Sequence, residues 1–518
     1  MAGICGVLDY VRPVGEVSLG LFVGALRHRG GSHCRTWVEG QIGLARCAMS
    51  DDGSGEWRRR ILLDGGFENA QSVRRELEGL GHGFPDETDE ELAAAVLLQW
   101  GVAGLRQLDG AWALAVWDGE TRSLLLARDR FGEKPLFFWT GGSRLAFASE
   151  MKAFLALDGF SPALDLEVAR SALSAGLANE GGSDATLLRG VRRLRPGHAL
   201  SIDATGRLVQ HGWWDSLAQL PAIPADYDDQ VEEFRRLVSE AVARRDRDEG
   251  VLCLGGGIGS AAVAGCLPEG RKSIAASFAG WVPDERPLAR LMAARTGSTL
   301  AETHFSLADL AGAVAPSLWA AETLDAGIAT PLWCLNRDIA ARGYRIALNG
   351  FGANELLCGH TRQLDWPLNE VDQYLFNDFH QTRFPALAGI IERCAAAHGI
   401  EPATPYLDWR LVTFASALPA SAKVGAGRTQ RILRDAVAGQ VPDEIRLRRT
   451  KVGFEAMVPA LVALLRPVTD HPLFLESPLW DGPALRDGAD RVDLWPMIVL
   501  VLWQLMFVER RQPDGLWG

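Results

Sequence analysis

From Val251 the chain runs Val-Leu-Cys-Leu254 and passes straight into Gly255-Gly-Gly-Ile-Gly-Ser260. A short apolar run of this kind reads as a buried strand, and the glycines after it as a tight turn. The small, apolar stretch Ala261 to Leu267 reads as the helix that follows. Glycines between a strand and a helix let backbone N–H groups converge on an anion, and the helix dipole adds to the attraction. The run is not a Walker loop, because no Gly-Lys-Ser/Thr follows. It is not a dinucleotide fingerprint either, since its spacing is wrong and no acidic residue stands at a strand end about twenty residues on. Taken alone, it fits a phosphate cradle and a close helix–strand contact equally well.

The surroundings of the turn set the fold class. Ser273 to Phe278 reads as the next strand, Pro287 to Thr296 as a helix and Arg345 to Leu348 as a further strand. Strands alternating with helices imply a parallel sheet covered on both faces. Before about Glu232 the pattern is different. Ala111–Trp117 and Leu124–Ala127 flank Asp118-Gly119, and Phe137–Trp139 and Leu145–Ala148 flank Gly141-Gly142. Successive apolar hairpins suggest two stacked antiparallel sheets, and the helical spacing of Asp89 to Trp100 suggests a helix covering them. The Pro-containing stretch Leu217 to Tyr227 reads as a linker.

A chain of 518 residues is long enough for two domains or three. Its formal net charge of −12 argues against a sequence-independent nucleic-acid binder, though not against a local phosphate pocket. The eight cysteines include no Cys-x-x-Cys pair, so the reading is mostly reduced, packed thiols without a zinc site or a disulfide scaffold. No basic n-region opens the chain, and the longest apolar run, Leu494 to Trp503, is too short for a bilayer of roughly 30 Å. A buried helix and a cytoplasmic location are expected. No basic helix or lipidation signal suggests nucleic acid or membrane as a partner.

Ordered landmarks then resemble one family. The glycine run is similar to the pyrophosphate loop Ser-Gly-Gly-x-Asp-Ser of the asparagine synthetases, with Gly255 for the Ser and Gly259 for the Asp. Leu348-Asn-Gly-Phe-Gly-Ala-Asn-Glu-Leu-Leu-Cys-Gly-His360 resembles that family's Leu-Ser-Gly-Glu-Gly-Ala-Asp-Glu-Leu-Phe-Gly-Gly-Tyr. Ala396-Ala-His-Gly-Ile-Glu401 with Pro405-Tyr-Leu-Asp408, Glu322-Thr323 ahead of Thr330-Pro331, and Lys451-Val-Gly-Phe454 fall in the same order. Leu26–Gly30, Leu108–Trp112, Leu126–Gly132 with Lys134-Pro135, and Phe147–Lys152 look like its glutaminase domain. Trp213-Trp214-Asp215 sits where that domain ends, and packing is the reading there.

The resemblance implies an α+β domain of N-terminal-nucleophile, four-layer αββα type over 1–215. It implies a linker over 216–230 and a parallel-sheet, PP-loop α/β synthetase domain over 231–518. In a typical member, a cysteine directly after the initiator Met attacks the glutamine amide with its own α-amino group as base. The second domain activates a carboxylate with Mg-ATP as an acyl-adenylate, and ammonia displaces AMP. Carried over by position, the nucleotide would meet Cys253, Leu254, Gly255, Gly256, Gly257, Gly259, Ser260, Asn349 and Gly350. Phe351, Glu355 and Asp408 would face the substrate, and Lys451 and Glu322 would be catalytic.

The departures are as informative. Ala2 stands at the nucleophile's position and has no atom to attack with. Cys5 falls at a variable position and reads as a buried structural thiol. The family's carboxylate-binding Arg aligns with Ala48, and its Asn-Gly-Glu turn with Asp64-Gly65-Gly66. A carboxylate where an oxyanion should develop would repel it. Asp89 alone matches, at the position that binds the glutamine α-amino group. In the second domain, Gly259 and Asn354 stand at the family's magnesium-binding Asp positions, which weakens a site for a hard cation. Restoring both carboxylates is expected to raise metal affinity. Phe351 replaces a Glu of asparagine-forming members; β-lactam synthetases, which also lack the thiol, have a Tyr thought to assist the amine.

Three readings follow. One is an ATP-dependent amide-forming ligase that takes free ammonia or an amine, with a small carboxylate or a peptide as the acyl substrate. One is a pseudoenzyme that partners an active synthetase. The third is asparagine synthesis from aspartate and free ammonia. The resemblance also implies a homodimer.

Overall fold

A computed structural model describes residues 2–31, 33–48, 59–175, 183–279, 284–324, 327–449, 453–488, 494–513 and 516. The chain divides into two compact units. One comprises Met1–Val168, Ser183–Asp215 and Phe507–Arg510; the other comprises Ala169–Gly182, Ser216–Met506 and Arg511–Gly518.

Eleven strands among the described residues build the first unit: β1 (Ala2–Asp9), β2 (His33–Glu39), β3 (Ile42–Ala48), β4 (Arg59–Gly65), β5 (Trp112–Asp118), β6 (Ser123–Arg128), β7 (Phe137–Gly141), β8 (Arg144–Ala148), β9 (Val191–Arg193), β10 (His198–Ile202) and β11 (Leu208–Gly212). They form a six-stranded sheet, β2-β3-β1-β8-β7-β9, and a five-stranded sheet, β11-β10-β6-β5-β4. Every pairing is antiparallel. Both expected hairpins are present, in register Phe137↔Ala148 and Ala113↔Arg128.

Alternation along the strands explains the layers. Ile4, Leu44, Leu145 and Phe147 of the first sheet share a core with Ala115, Trp117, Leu124 and Leu126 of the second. The opposite residues of the second sheet, among them Leu63, Leu114 and Val116, pack on the helices Ala70–Gly79 and Asp89–Trp100 through Val73, Leu77, Leu92 and Val96. Thr88 caps the latter helix by accepting from Glu91 N at 3.2 Å. Trp213 closes this layer, stacked on Trp112 with centroids 5.5 Å apart.

The expectation of mostly reduced cysteines holds for six of the eight, and one pair is the exception. Cys34 and Cys47 face each other across β2 and β3 and form a disulfide, with Cα atoms 4.0 Å apart. Linear spacing could not show this, because the hairpin brings together positions 13 apart in sequence. The other six cysteines are free.

In the second unit, β12 (Gly250–Cys253), β13 (Lys272–Phe278), β14 (Thr299–Phe305), β15 (Ile346–Leu348) and β16 (Glu401–Ala403) make one sheet in the order β14-β13-β12-β15-β16. All four pairings are parallel. Val251, Ile274 and Ala347 pack with Leu335, Ile339 and Ala395 from the helices Ala329–Ala341 and Arg383–Ala396. The helix Trp495–Phe507 holds the apolar run, with Ile498 to Leu502 and Trp503 buried. Of the stretch read as a linker, Tyr227 to Gln230 already form the first turn of the helix Tyr227–Arg245. Among the described residues no helix is long and apolar enough to cross a membrane.

Candidate functional site

The strand order reverses at β12: β13 and β14 lie on one side of it, β15 and β16 on the other. In an open parallel sheet, the crevice beyond the carboxyl ends of the two strands at such a reversal is where ligands sit. The glycine turn leaves β12 there, and Asn349-Gly350-Phe351 leaves β15 beside it. A cavity of about 340 Å³ opens at this point. It is lined by Cys253, Leu254, Gly255, Gly256, Gly257, Gly259 and Ser260 from the first turn and by Asn349, Gly350, Phe351, Asn354 and Glu355 from the second.

The two turns fit by having no side chains where they meet. A Cβ on Gly350 would stand 2.4 Å from Ser260 N. Tyr406, from the Pro-Tyr-Leu-Asp motif, is buried and donates its hydroxyl to Gly259 O at 3.2 Å. Ser260 Oγ accepts from Gly255 N at 3.2 Å and donates to Gly257 O at 3.2 Å, closing the turn on itself. Asn349 Nδ2 donates to Thr404 Oγ1 at 3.2 Å, and its Oδ1 accepts from Phe351 N at 3.1 Å. Burial pushes the Cys253 thiol up to about 12, so it is a packing residue at the cavity floor.

Charge in the cavity is mostly positive. Arg383, Arg434, Arg448 and Arg449 line it against two carboxylates, Glu285 and Glu355. Such a wall favours a polyanion. Gly259 has no ligand atom, and Asn354 Oδ1 accepts from Gln430 Nε2 at 3.3 Å. Among the described residues, no group of three or more His, Cys, Asp or Glu could hold a metal ion. Neither position expected to hold magnesium carries a carboxylate; those that line the cavity are Glu285 and Glu355.

Two expected site residues are not brought to the cavity. Glu322 is fully buried at the end of the helix Leu307–Ala321, its Oε2 3.9 Å from Arg393 Nε, and its carbonyl accepts from Trp503 Nε1 at 3.1 Å. Asp408 caps the helix Trp409–Ala417 by accepting from Arg410 N at 2.9 Å, and pairs with Arg244 at 2.9 Å. Both carboxylates are committed to holding helices. Lys451 lies outside the described residues. Glu285 is not among the residues the sequence points to, although Asp284-Glu285 before a helix is a visible signal, and Arg448 enters the sequence reading only within the Arg-rich approach (Arg446, Arg448, Arg449) to Lys451.

The residues expected at a remnant glutamine site all lie in the first unit. Ala2 N donates to Asp64 Oδ1 at 3.1 Å, Ser149 Oγ donates to Asp64 Oδ2 at 3.2 Å, and Arg29 Nη2 donates to Asp64 Oδ2 at 2.9 Å. Arg29 continues to Glu150 Oε1 at 2.8 Å and to Ala2 O at 2.9 Å. His28 and Lys152 also contact Glu150. Burial works to raise the Glu150 carboxyl, but His28, then Lys152 and Arg29, outweigh it and hold it well below the usual carboxylate range. Gly65 takes φ +98°, and a Cβ there would stand 2.0 Å from Ala111 O, so only glycine fits. Ala48 is buried on β3. Asp89 accepts from Phe67 N at 3.0 Å and pairs with Arg74 at 3.2 Å; burial raises its carboxyl above the ordinary value.

The sequence matches the family described as "Glutamine amidotransferase domain" over residues 1–214, and that described as "Asparagine synthase" over 233–372 and 366–487. The chain belongs to the asparagine synthase family. Its amino-terminal domain is of the glutamine amidotransferase class II type. It is 29% identical over 280 residues to asparagine synthetase (glutamine-hydrolyzing) 3 of Bacillus subtilis strain 168, covering 51% of this chain and 44% of that one. It therefore spans less than half the length of that relative. It is 26% identical over 453 residues to asparagine synthetase (glutamine-hydrolyzing) 2 of Arabidopsis thaliana, covering 79% and 70%. Among solved structures, glutamine phosphoribosylpyrophosphate amidotransferase from B. subtilis matches at 16% identity and a TM-score of 0.31, over 58% of this chain and 65% of that one. By the two family matches and the sheet topology, an amidotransferase-like domain of antiparallel sheets precedes a parallel-sheet asparagine synthase domain, in a family of ATP-dependent carbon–nitrogen ligases.

Proposed function

We propose that this asparagine synthase family member is an ATP-dependent, AMP-forming amide ligase that does not hydrolyse glutamine itself. The observation that carries the reading is the open, arginine-lined cavity on the glycine turn at the sheet's reversal point. In this reading Gly257 and the helix Ile258–Cys266 present their amides to the phosphates, and Ser260 keeps the turn in shape. The carboxylate substrate is activated as an acyl-adenylate, and free ammonia or an amine displaces AMP. Phe351 lines the cavity without an acid–base group, so the attacking amine loses its proton elsewhere.

On the amidotransferase side, the reading is supported by Ala2, and by Asp64 and Glu150 filling the remnant site with a buried ion cluster around Arg29. A side chain able to attack a carbonyl is missing at position 2, and a carboxylate stands beside it. A second reading, a pseudoenzyme that partners an active synthetase, is favoured by one observation. Two of the turn's amides, Gly255 N and Gly256 N, are already hydrogen-bonded within the protein.

Calorimetric titration of ATP, with and without magnesium, tests both, followed by pyrophosphate release over aspartate and other carboxylic acids. ATP binding with release on at least one acid is the expected result. Absence of ATP binding under either condition would leave the pseudoenzyme reading alone standing.

A further inference from the structure

Glu285 and Arg448 come from segments far apart in the chain and meet over the glycine turn. Arg448 Nη1 lies 2.6 Å from Glu285 Oε1, and the other carboxylate oxygen accepts from Gly256 N at 3.0 Å. The same guanidinium nitrogen donates to Gly256 O at 3.2 Å. A Cβ on Gly256 would stand 2.8 Å from Arg448 Nη1 and 2.9 Å from Leu288 Cδ1, so the glycine is what lets both side chains come so close.

A carboxylate with one oxygen on a loop amide and the other on a guanidinium has the hydrogen-bond pattern of a bound phosphoryl group. We infer that Gly256 N–H and Arg448 form a phosphoryl subsite for the nucleoside triphosphate, and that Glu285 is the internal anion that fills it until nucleotide arrives. This rests on the nucleotide reading proposed above.

The charge balance supports the assignment. With Gly259 and Asn354 at the positions where relatives place metal-binding carboxylates, a fixed cation is the remaining counter-charge at the turn. Arg448 is a half-enclosed one, with a fifth of its side chain exposed (20%) and its partner Glu285 equally so (21%). A polyphosphate carries more charge than a carboxylate and presents the same oxygen acceptors, so it can displace Glu285 while keeping both donors satisfied. Nucleotide affinity then depends on Arg448 more than on magnesium, and Glu285 subtracts from it.

Pyrophosphate and ATP titrations of the full chain, in magnesium and in EDTA, test this with Glu285→Gln, Arg448→Gln and the double variant. Thermal melts confirm that each is folded. Glu285→Gln should tighten pyrophosphate about tenfold, the scale of one charged hydrogen-bond competitor removed, and Arg448→Gln should weaken it by about tenfold or more. The double variant should bind more weakly than Glu285→Gln alone, which separates loss of the guanidinium from repulsion by a freed carboxylate. Wild-type binding with all variants unchanged would overturn the subsite and leave the ligase reading intact. So would weaker binding by Glu285→Gln. If neither wild type nor any variant takes pyrophosphate or ATP, the ligase reading falls together with the subsite.

Discussion

The carbonyl oxygen of Gly350 stands 2.9 Å from the point a Cβ on Gly259 would occupy, and Ala353 Cβ lies 3.1 Å from the same point. The turn after β12 has therefore closed onto the turn after β15 through the space a side chain would need at position 259. Sequence alone suggests that returning carboxylates at 259 and 354 restores a metal site. The geometry predicts otherwise.

Gly259→Asp should destabilise the second domain by about 1–3 kcal/mol, the usual cost of forcing atoms into a packed contact. Because the backbone at 350 must move first, Gly259→Asp with Asn354→Asp should leave magnesium affinity within about twofold of wild type, or about 0.4 kcal/mol. Calorimetry with magnesium alone, beside a denaturant melt, reads both quantities. A tenfold gain in affinity with unchanged stability would show that the turns are free to part.

Ala2→Cys should not create a glutaminase. A thiol at that position would lie against the Asp64 carboxylate, which accepts from the residue's own N at 3.1 Å. A negative neighbour disfavours the thiolate and the oxyanion that its attack generates. Asp89, expected by resemblance at a glutamine contact, is already paired with Arg74. Glutamate release from glutamine should stay at background for Ala2→Cys, and release well above background would refute the account of a closed site.

Much of this was legible in the chain, and the reasons for the exceptions are specific. The hairpins around Asp118-Gly119 and Gly141-Gly142, the helix Asp89–Trp100 and the strands β12, β13 and β15 announced themselves by local periodicity and turn residues. β14 did not: Thr299–Phe305 carries Glu302, Thr303 and His304 in succession, as an edge strand can, and is half-exposed along most of its length. Glu322 and Asp408 match motif positions, yet their carboxylates turn toward Arg393 and Arg244, partners 71 and 164 residues away by number. Pairings at that separation leave no local trace. The same holds for Glu285 with Arg448 and for Cys34 with Cys47.

The disulfide gives a direct count. Ellman titration of the denatured, unreduced chain should find the six free thiols and not eight. Since Cys34 and Cys47 lie 13 residues apart on a hairpin, reduction should cost the first domain at most about 3 kcal/mol, the chain-entropy value for a loop of about that size. Eight titratable thiols before reduction, or a melt indifferent to reductant, would remove the bond from the account.

The buried cluster around Glu150 makes a prediction about pH. Its carboxyl is held well below the ordinary glutamate value of 4.5 in the folded state. The unfolded chain therefore binds the extra proton first as pH falls, so stability is fully present above about 4.5 and is lost as pH drops below it. Glu150→Gln should flatten that slope. It should also destabilise the domain at neutral pH by about 3–5 kcal/mol, because Arg29, with no exposed surface, loses one of its two carboxylate partners. Urea melts of wild type and variant from pH 3 to 7 measure both effects. Parallel pH profiles for the two proteins would mean that Glu150 titrates like an ordinary surface carboxylate, and the ion cluster would then not account for the acid sensitivity of the domain.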